Sequence, residues 1–384
     1  MQRRPLVLHV RTVTGTGGGP EKTILRSPAY LAAAGWDAYC AYLHPPGDAG
    51  FEALRHRADS WGAPLIALPD RGPTDLRPIR ELALLCRQLQ PDVWHGHDYK
   101  SDPLGLLLRR KRKRMFLVST VHGWGVPGRR VRLYRWIHQL CLRYFDRVIC
   151  VSQDLKRQCI RAGIPTRICR MVENGVDTSI YVPRESTSSA KARLGLPSDV
   201  LLVGAVGRLS AEKDYPTLLR AARRLNESGR RIHVMIVGDG PEKERLADLI
   251  RQYELEQAVS LAGFQPDPIP FYQAFDVLCI TSTSEGLPNA LLEAMACEVP
   301  VISTLVGGIA GLIQDGVTGL AIHPGDDAAL ADALTRIWDS DLRRALAQAG
   351  RAIICERYSF ERRMQRVVSI YRELIEYRDS IDRT

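Results

Sequence analysis

Short apolar runs alternate with stretches of helical periodicity along most of the chain. In the first half, Leu6–Val10, Ala38–Leu43, Leu65–Leu68, Val93–His97, Phe116–His122 and Arg147–Ser152 predict strands. These runs are continuous rather than alternating, the pattern of strands buried on both faces. Between them, Thr23–Ala34, Leu76–Leu89, Val131–Tyr144 and Asp154–Ala162 carry apolar positions at helical spacing. Such an order predicts a parallel, doubly wound sheet. Val182–Ser189 has Pro, Ser and Thr without apolar periodicity and reads as part of a linker. The alternation then restarts, with strands at Leu201–Val206, His233–Val237, Val259–Leu261, Val277–Ile280, Val299–Ser303 and Gly319–Ile322. Helical patterns fall at Pro216–Asn226, Glu242–Tyr253, Ala290–Ala296 and Ala328–Trp338. The reading is α/β, two Rossmann-like units over 1–182 and 183–359, followed by an amphipathic helix, Phe360–Tyr377.

Composition leaves that picture intact. Of 384 residues, 45% are hydrophobic and 25% charged, ordinary globular usage. No apolar run approaches the ~18 residues of a membrane-spanning helix, and Leu6–Val10 is too short for a secretory leader. Nine cysteines occur without a C-x-x-C pair, which argues against a zinc ribbon and reads as reduced cytosolic thiols. Charge adds more. The net +10 divides into +14 over residues 1–183 and −4 over 184–384. The first half is therefore expected to meet an anionic surface or substrate.

Doubly wound units bind ligands beyond the carboxyl ends of their strands. Three stretches there carry chemistry. Gly15-Thr16-Gly17-Gly18-Gly19 follows the first strand and leads into a helix. It is either a flexible loop or a phosphate cradle, and it matches neither the dinucleotide nor the P-loop fingerprint. Arg208 and Lys213 follow another strand end. They are either solvated surface cations or a grip on a diphosphate. Thr281–Ala296 places Glu285 in a loop and Glu293 on a helix beginning near Pro288. Two carboxylates so arranged can hold opposite ends of a polyhydroxylated ligand, although Glu285 could equally serve as a favourable charge at a helix N-terminus.

Taken in order, these segments resemble the retaining GT-B glycosyltransferases of family 4. The resemblance rests on Gly17-Gly18-Gly19, Ser119-Thr120-Val121-His122, Val148–Ser152, Glu173-Asn174-Gly175-Val176-Asp177, Gly207-Arg208-Leu209 with Lys213, Val237-Gly238-Asp239-Gly240-Pro241, and Glu285 with Glu293. It implies two Rossmann-like domains facing across a cleft, with residues 360–384 crossing back onto the first. Arg208 and Lys213 would bind the donor diphosphate. Glu285 with Gly286, Leu287, Pro288 and Asn289 would hold the donor sugar, and Glu293 the ribose. His122, otherwise a satisfied strand-end histidine, would contact the sugar, and Gly17, Gly18 and Gly19 would lie near the diphosphate. His122, Arg208, Lys213 and Glu285 are thus the expected catalytic set. The cations take the place of a divalent ion, so neither metal nor cofactor is expected beyond the nucleotide-sugar substrate.

Two positions depart from the family pattern. Glu298 stands where Gly is common, tolerable unless the turn needs positive φ. Gly311 stands where Glu is common, which removes a carboxylate near the donor pocket.

The basic run Arg109–Arg114, with Arg129, Arg130, Arg132 and Arg135 and the aromatic Trp124, suggests contact with anionic lipid. A solvated loop is the competing reading, and no nucleic-acid-binding signature is present. The expectation is a cytoplasmic glycosyltransferase, peripheral on the inner face of the membrane, extending a lipid-linked glycan for exopolysaccharide or lipopolysaccharide. The alternatives are a soluble transferase on a small acceptor and a nucleotide-sugar-binding protein without turnover.

Overall fold

A computed structural model describes residues 3–72, 75–110, 112, 114–123 and 129–381, excluding the side chains of 129–131 and 381. Lys111, Lys113 and Trp124, and the side chains of Arg129 and Arg130, lie outside the described residues.

The chain forms two compact units, Met1–Glu173 with Glu361–Thr384, and Asn174–Phe360. The first runs β1 (Leu6–Thr12), α1 (Gly19–Ala33), β2 (Asp37–His44), α2 (Ala49–Ser60), β3 (Leu65–Pro69), α3 (Arg77–Leu89), β4 (Val93–Gly96), α4 (Ser101–Arg109), β5 (Phe116–Val121), α5 (Arg129–Leu142), β6 (Arg147–Cys150), α6 (Gln153–Arg161) and β7 (Cys169–Met171). The second runs α7 (Thr187–Arg193), β8 (Leu201–Val206), α8 (Tyr215–Glu227), β9 (Ile232–Val237), α9 (Lys243–Gln252), β10 (Val259–Gly263), α10 (Ile269–Ala274), β11 (Val277–Ile280), α11 (Asn289–Ala296), β12 (Val301–Thr304), β13 (Leu320–Ile322), α12 (Asp327–Arg336) and α13 (Ser340–Arg357). The last helix, α14 (Phe360–Ile381), belongs to the first unit from Glu361 onward.

Among the described residues, both sheets are wholly parallel. Their orders are β3-β2-β1-β4-β5-β6-β7 and β10-β9-β8-β11-β12-β13. Each reverses direction once, at β1/β4 and at β8/β11. At such switch points adjacent loops diverge and leave room for a ligand.

The continuous apolar runs are explained by cores on both faces of each sheet. In β8, Leu201, Val203 and Ala205 face one core, formed with α8, α9 and α12. Leu202 faces the other, formed with α10, α11 and α13. Alternate residues thus serve opposite cores, and both faces of the strand are apolar.

The structure adds β7 and helices α2, α4, α7, α10 and α13 to the sequence reading. α4 carries Pro103 and Gly105, which mask its helical pattern. Gly105 is required by packing, because a Cβ there would lie 2.5 Å from the indole nitrogen of buried Trp94. α13 buries Leu346, Ala347, Gly350 and Ile354, a correctly spaced face whose small residues give a weak apolar signal.

The division falls at Glu173/Asn174, ahead of the boundary expected after 182. Backbone pairing of Val176 with Tyr358 (2.9 Å) and Phe360 (2.8 Å) secures this segment to the second unit. Val182 and Arg184 are held there by Gln273. On the first unit, α14 buries Met364, Val367, Val368, Ile370, Tyr371 and Leu374. Arg378 pairs with Asp92 at 2.9 Å. No described helix is long and apolar enough to cross a membrane.

The turn after α11 does need positive φ: Glu298 has φ 58°. An L-residue there is strained by roughly 1–2 kcal/mol. Its 3.6 Å ion pair with Arg351 is partly exposed and compensates little. Glu298→Gly is therefore expected to stabilise the chain by about 1 kcal/mol. A higher urea midpoint at unchanged slope would register it, and an unchanged or lower midpoint would contradict it.

Candidate active site

In the second unit, the loops leaving β8 and β11 meet at the switch point. Lys213 follows β8 and Glu285 follows β11, and Lys213 Nζ donates to Glu285 Oε1 at 2.5 Å. Ser282 Oγ donates to the same oxygen at 2.8 Å. Further bonds tie the loops together: Thr283 N–H donates to the Glu212 carbonyl (2.8 Å), and Thr281 Oγ1 to the Lys213 carbonyl (2.8 Å). The Lys213 and Glu285 side chains are 18% and 12% exposed. This ammonium can therefore reach a ligand while screened from bulk water. Burial, then the carboxylates of Glu285 and Glu212, push the Tyr215 phenol upward. Arg208 is exposed, with no side-chain partner among the described residues, and is free to swing onto an anion.

Glu293 lies deep in the second unit. It is 4% exposed, and Tyr272 OH donates to its Oε2 at 2.8 Å. Burial and this carboxylate raise the phenols of Tyr272 and Tyr181. Leu287 is buried, Pro288 caps α11, and Asn289 opens it. The carbonyl of Leu287 accepts from Asn174 Nδ2 at 2.9 Å. One member of the Asn174-Gly175 motif therefore braces the Glu285–Asn289 loop.

Two glycine pairs shape the site from behind. Gly238 has φ 151°, and a Cβ on it would fall 1.8 Å from the Gly207 carbonyl oxygen. A Cβ on Gly240 would lie 2.4 Å from the Leu209 carbonyl. Close backbone approach here fixes the loop carrying Arg208. Gly307, φ 57°, and Gly308 do the same for the Glu285 loop. Their added Cβ atoms would lie 1.8 Å from the Glu285 carbonyl and 2.4 Å from that of Gly286.

In the first unit, the glycine loop is self-capped. Gly17 has φ 68°, and Gly18 N–H donates to Glu21 Oε2 at 2.5 Å. Glu21 is 3% exposed and is paired with Arg11. The Arg11 guanidinium and these hydrogen bonds hold its carboxyl below the usual range, against the opposing effect of burial. A phosphate arriving at this helix start would meet a carboxylate already using the Gly18 amide. Gly19 is the first residue of α1.

His122 is half-buried just beyond β5, and it is not isolated. His9 pairs directly with His95 in the β1/β4 ladder, and His97 lies two residues further along. His9 Nδ1 and His97 Nε2 are 3.0 Å apart, and His97 Nδ1 and His122 Nε2 are 3.2 Å apart. His95 is bonded at both nitrogens, to Tyr371 OH (2.5 Å) and Thr120 Oγ1 (2.8 Å). Burial comes first among the causes that lower the pKa of all four rings, so they stand as neutral imidazoles. His9, His95 and His97 bring three nitrogens within 4.8 Å of one another, the donor set available to a metal ion. The only sequence hint of this cluster was the His95-x-His97 spacing, which puts both side chains on one strand face.

Residues 17–180 match the model for Glycosyltransferase Family 4, and residues 186–353 that for Glycosyl transferases group 1. The D-inositol 3-phosphate glycosyltransferase of Acidothermus cellulolyticus is 34% identical over 311 residues, 74% of this chain and 67% of that protein. The UDP-Gal:alpha-D-GlcNAc-diphosphoundecaprenol alpha-1,3-galactosyltransferase of Escherichia coli is 26% identical over 314 residues, 78% of this chain and 80% of that protein. The crystal structure of Anabaena HepE in complex with UDP and glucose superposes with a TM-score of 0.82. It covers 96% of this chain and 100% of that one, and at 21% identity it is a likeness of fold. With both halves matched in order, the chain belongs to the family 4, group 1 glycosyltransferases and is a transferase of the GT-B fold.

Proposed function

We propose that this glycosyltransferase takes a sugar from a nucleoside-diphosphate donor and passes it, with retention, to a lipid-linked glycan in exopolysaccharide or lipopolysaccharide assembly. The observation that carries the donor reading is the meeting of Lys213 and Glu285 at the second switch point, with Arg208 earlier in the loop that carries Lys213. Arg208 and Lys213 would take the diphosphate and stabilise the charge on the leaving group. Glu285 and the amides of Gly286–Asn289 would hold sugar hydroxyls, and Glu293 the ribose. His122, with Gly17, Gly18 and Gly19, would act from the first unit. The reading invokes no metal or cofactor. Protein groups position the reactants, and the departing phosphate assists deprotonation of the acceptor. Gly311 is exposed, with nothing among the described residues within 4 Å of an added Cβ. The missing carboxylate is thus a matter of donor choice rather than packing.

The acceptor reading rests on the first unit's basic, apolar surface. Leu133, Trp136 and Tyr144 are 57%, 58% and 71% exposed on or just beyond α5. Arg132, Arg135 and Arg143 lie among them in sequence. Exposed aromatics beside arginines suit the headgroup region of an anionic bilayer on the cytoplasmic face. The α5 helix is fastened to the unit by a buried contact, His138 Nε2 to Asp102 Oδ2 at 2.6 Å, with Ser119 donating to the same oxygen at 2.7 Å. The E. coli relative, named for an alpha-D-GlcNAc-diphosphoundecaprenol acceptor, supports a lipid-linked substrate. The Acidothermus relative supports the second reading, a soluble transferase on a small phosphorylated acceptor.

One experiment separates these readings. Nucleotide sugars are screened by calorimetry, and the binder is supplied with a polyprenyl-diphosphate glycan or with inositol phosphate. Flotation on anionic vesicles at two salt concentrations runs alongside. The expected result is transfer to the lipid-linked glycan with the donor anomeric configuration kept, and flotation that weakens with salt. Absence of nucleotide-sugar binding overturns the donor reading. Inositol-phosphate transfer without flotation establishes the second reading instead.

A further inference from the structure

The buried histidines beside His122 form a line, not a loose cluster. His9, His97 and His122 are joined end to end through facing ring nitrogens at 3.0 and 3.2 Å. A neutral imidazole has one N–H and one lone pair. Two facing nitrogens can therefore bond only if one carries the proton, and choosing the tautomer of one ring chooses all three.

Two polarities are possible. In the outward one, His9 Nδ1–H donates to His97 Nε2, and His97 Nδ1–H donates to His122 Nε2. His122 then carries its own proton on Nδ1. In the inward one every proton is reversed, and His9 must carry its proton on Nε2. That nitrogen is buried and, among the described residues, has no hydrogen-bond partner. A buried N–H without an acceptor is among the rarest defects in folded proteins, and an unused lone pair costs less. Arg363, on α14, also acts on His9, and its positive charge favours a lone pair over a further N–H. Both considerations select the outward polarity.

We propose that the His9–His97–His122 chain fixes His122 as its Nδ1–H tautomer, so that His122 meets its ligand as a neutral hydrogen-bond donor and not as a base. His9 and His97 are positioning residues that act through His122. This rests on the reading of His122 as a site residue.

The surroundings keep the chain neutral. Arg11 on β1 and Arg363 on α14 are the cations that act on it, and both oppose an imidazolium. Glu21 on α1 and Asp98 after β4 are the nearby carboxylates; both act on Arg11. Tyr371 on α14 is held by His95, whose ring stacks on His97 with centroids 4.3 Å apart. Burial first, then Arg363, brings the His9 pKa down to about 3. A metal held by His9, His95 and His97 would have to break one of the two His95 hydrogen bonds, to Tyr371 or Thr120, and one of the two His97 contacts, to His9 or His122, beside two cations.

The test is nitrogen NMR of the full chain with labelled histidine, from about pH 5.5 to 8, the range in which an ordinary histidine titrates. The expected His122 spectrum has a protonated, pyrrole-like Nδ1 and a pyridine-like Nε2, unchanged across that range. His97→Leu is expected to release the tautomer and to lower kcat about 10-fold with KM nearly unchanged. His97→Gln, which offers one acceptor and one donor, is expected to restore most of both. A His122 protonated on Nε2, or titrating near its ordinary value, overturns the proposal without any variant. Stoichiometric zinc binding that is lost in His9→Phe overturns it too, because the cluster would then be a metal site. If the tautomer is as expected but His122→Ala transfers sugar normally, the assignment of His122 to the site fails and the tautomer stands.

Discussion

Lys213→Ala is expected to lower kcat for sugar transfer by about 10²–10³-fold, the loss typical of removing one preorganised charge from a developing anion. The same variant should also lose stability. Lys213 is the ion-pair partner of Glu285, whose side chain is only 12% exposed. Leaving that carboxylate without its counterion costs about 1–3 kcal/mol. Arg208→Ala provides the contrast, because Arg208 is exposed and has no side-chain partner among the described residues. Its stability should stay within about 0.5 kcal/mol, while transfer falls to a similar degree. Initial rates with saturating donor, read beside urea unfolding, separate the two effects. Near-native kcat in both variants would remove the diphosphate assignment.

Gly238→Ala is expected to be the most damaging single-methyl change near the site. The residue sits at φ 151°, which L side chains rarely adopt, and the new Cβ would lie 1.8 Å from the Gly207 carbonyl oxygen. Crowding of this kind costs about 1–3 kcal/mol, and a disfavoured backbone conformation about 1–3 more. Because the atom struck belongs to the loop bearing Arg208, nucleotide affinity should fall together with the urea midpoint. Gly311→Ala is the control, since nothing lies within 4 Å of its added Cβ and its φ is unremarkable. Equal stability of the two variants would mean that the approach of Gly238 to Gly207 is not what fixes the loop.

The parts of this protein that were legible in the sequence share one property: their signal is local. Every strand run assigned from continuous apolar residues corresponds to a strand, because a strand between two cores is apolar along most of its length. Helices such as α8 announce themselves by a face of Leu218, Leu219, Ala222 and Leu225. Helices α4 and α13 did not, because Pro103, Gly105 and the alanines of α13 serve packing needs that no local pattern displays. Glu298 shows the same limit: a turn residue's φ cannot be read from its neighbours in sequence, yet it decides whether Glu is harmless.

Lys213 and Glu285 could each be singled out by residue type and by position at a strand end. That they touch, through bonds joining residues 72 apart in sequence, follows only from the parallel pairing of β8 with β11. Glu293 could be placed on its helix from the sequence, but its hydrogen bond from Tyr272, which lies in another helix, could not. Gly238 stood out only as part of a family motif, and its reason is a carbonyl on a neighbouring loop.

By itself, then, the sequence determined the strand–helix order, the two-unit α/β class and the residues bearing charge at strand ends, because hydrophobic periodicity and residue chemistry act over a few positions. Tertiary structure alone decided which of those residues meet, which glycines make room for them, and that His122 ends a line of buried imidazoles. Such contacts depend on strand order and register, which bring together β1, β4 and β5 from distant parts of the chain.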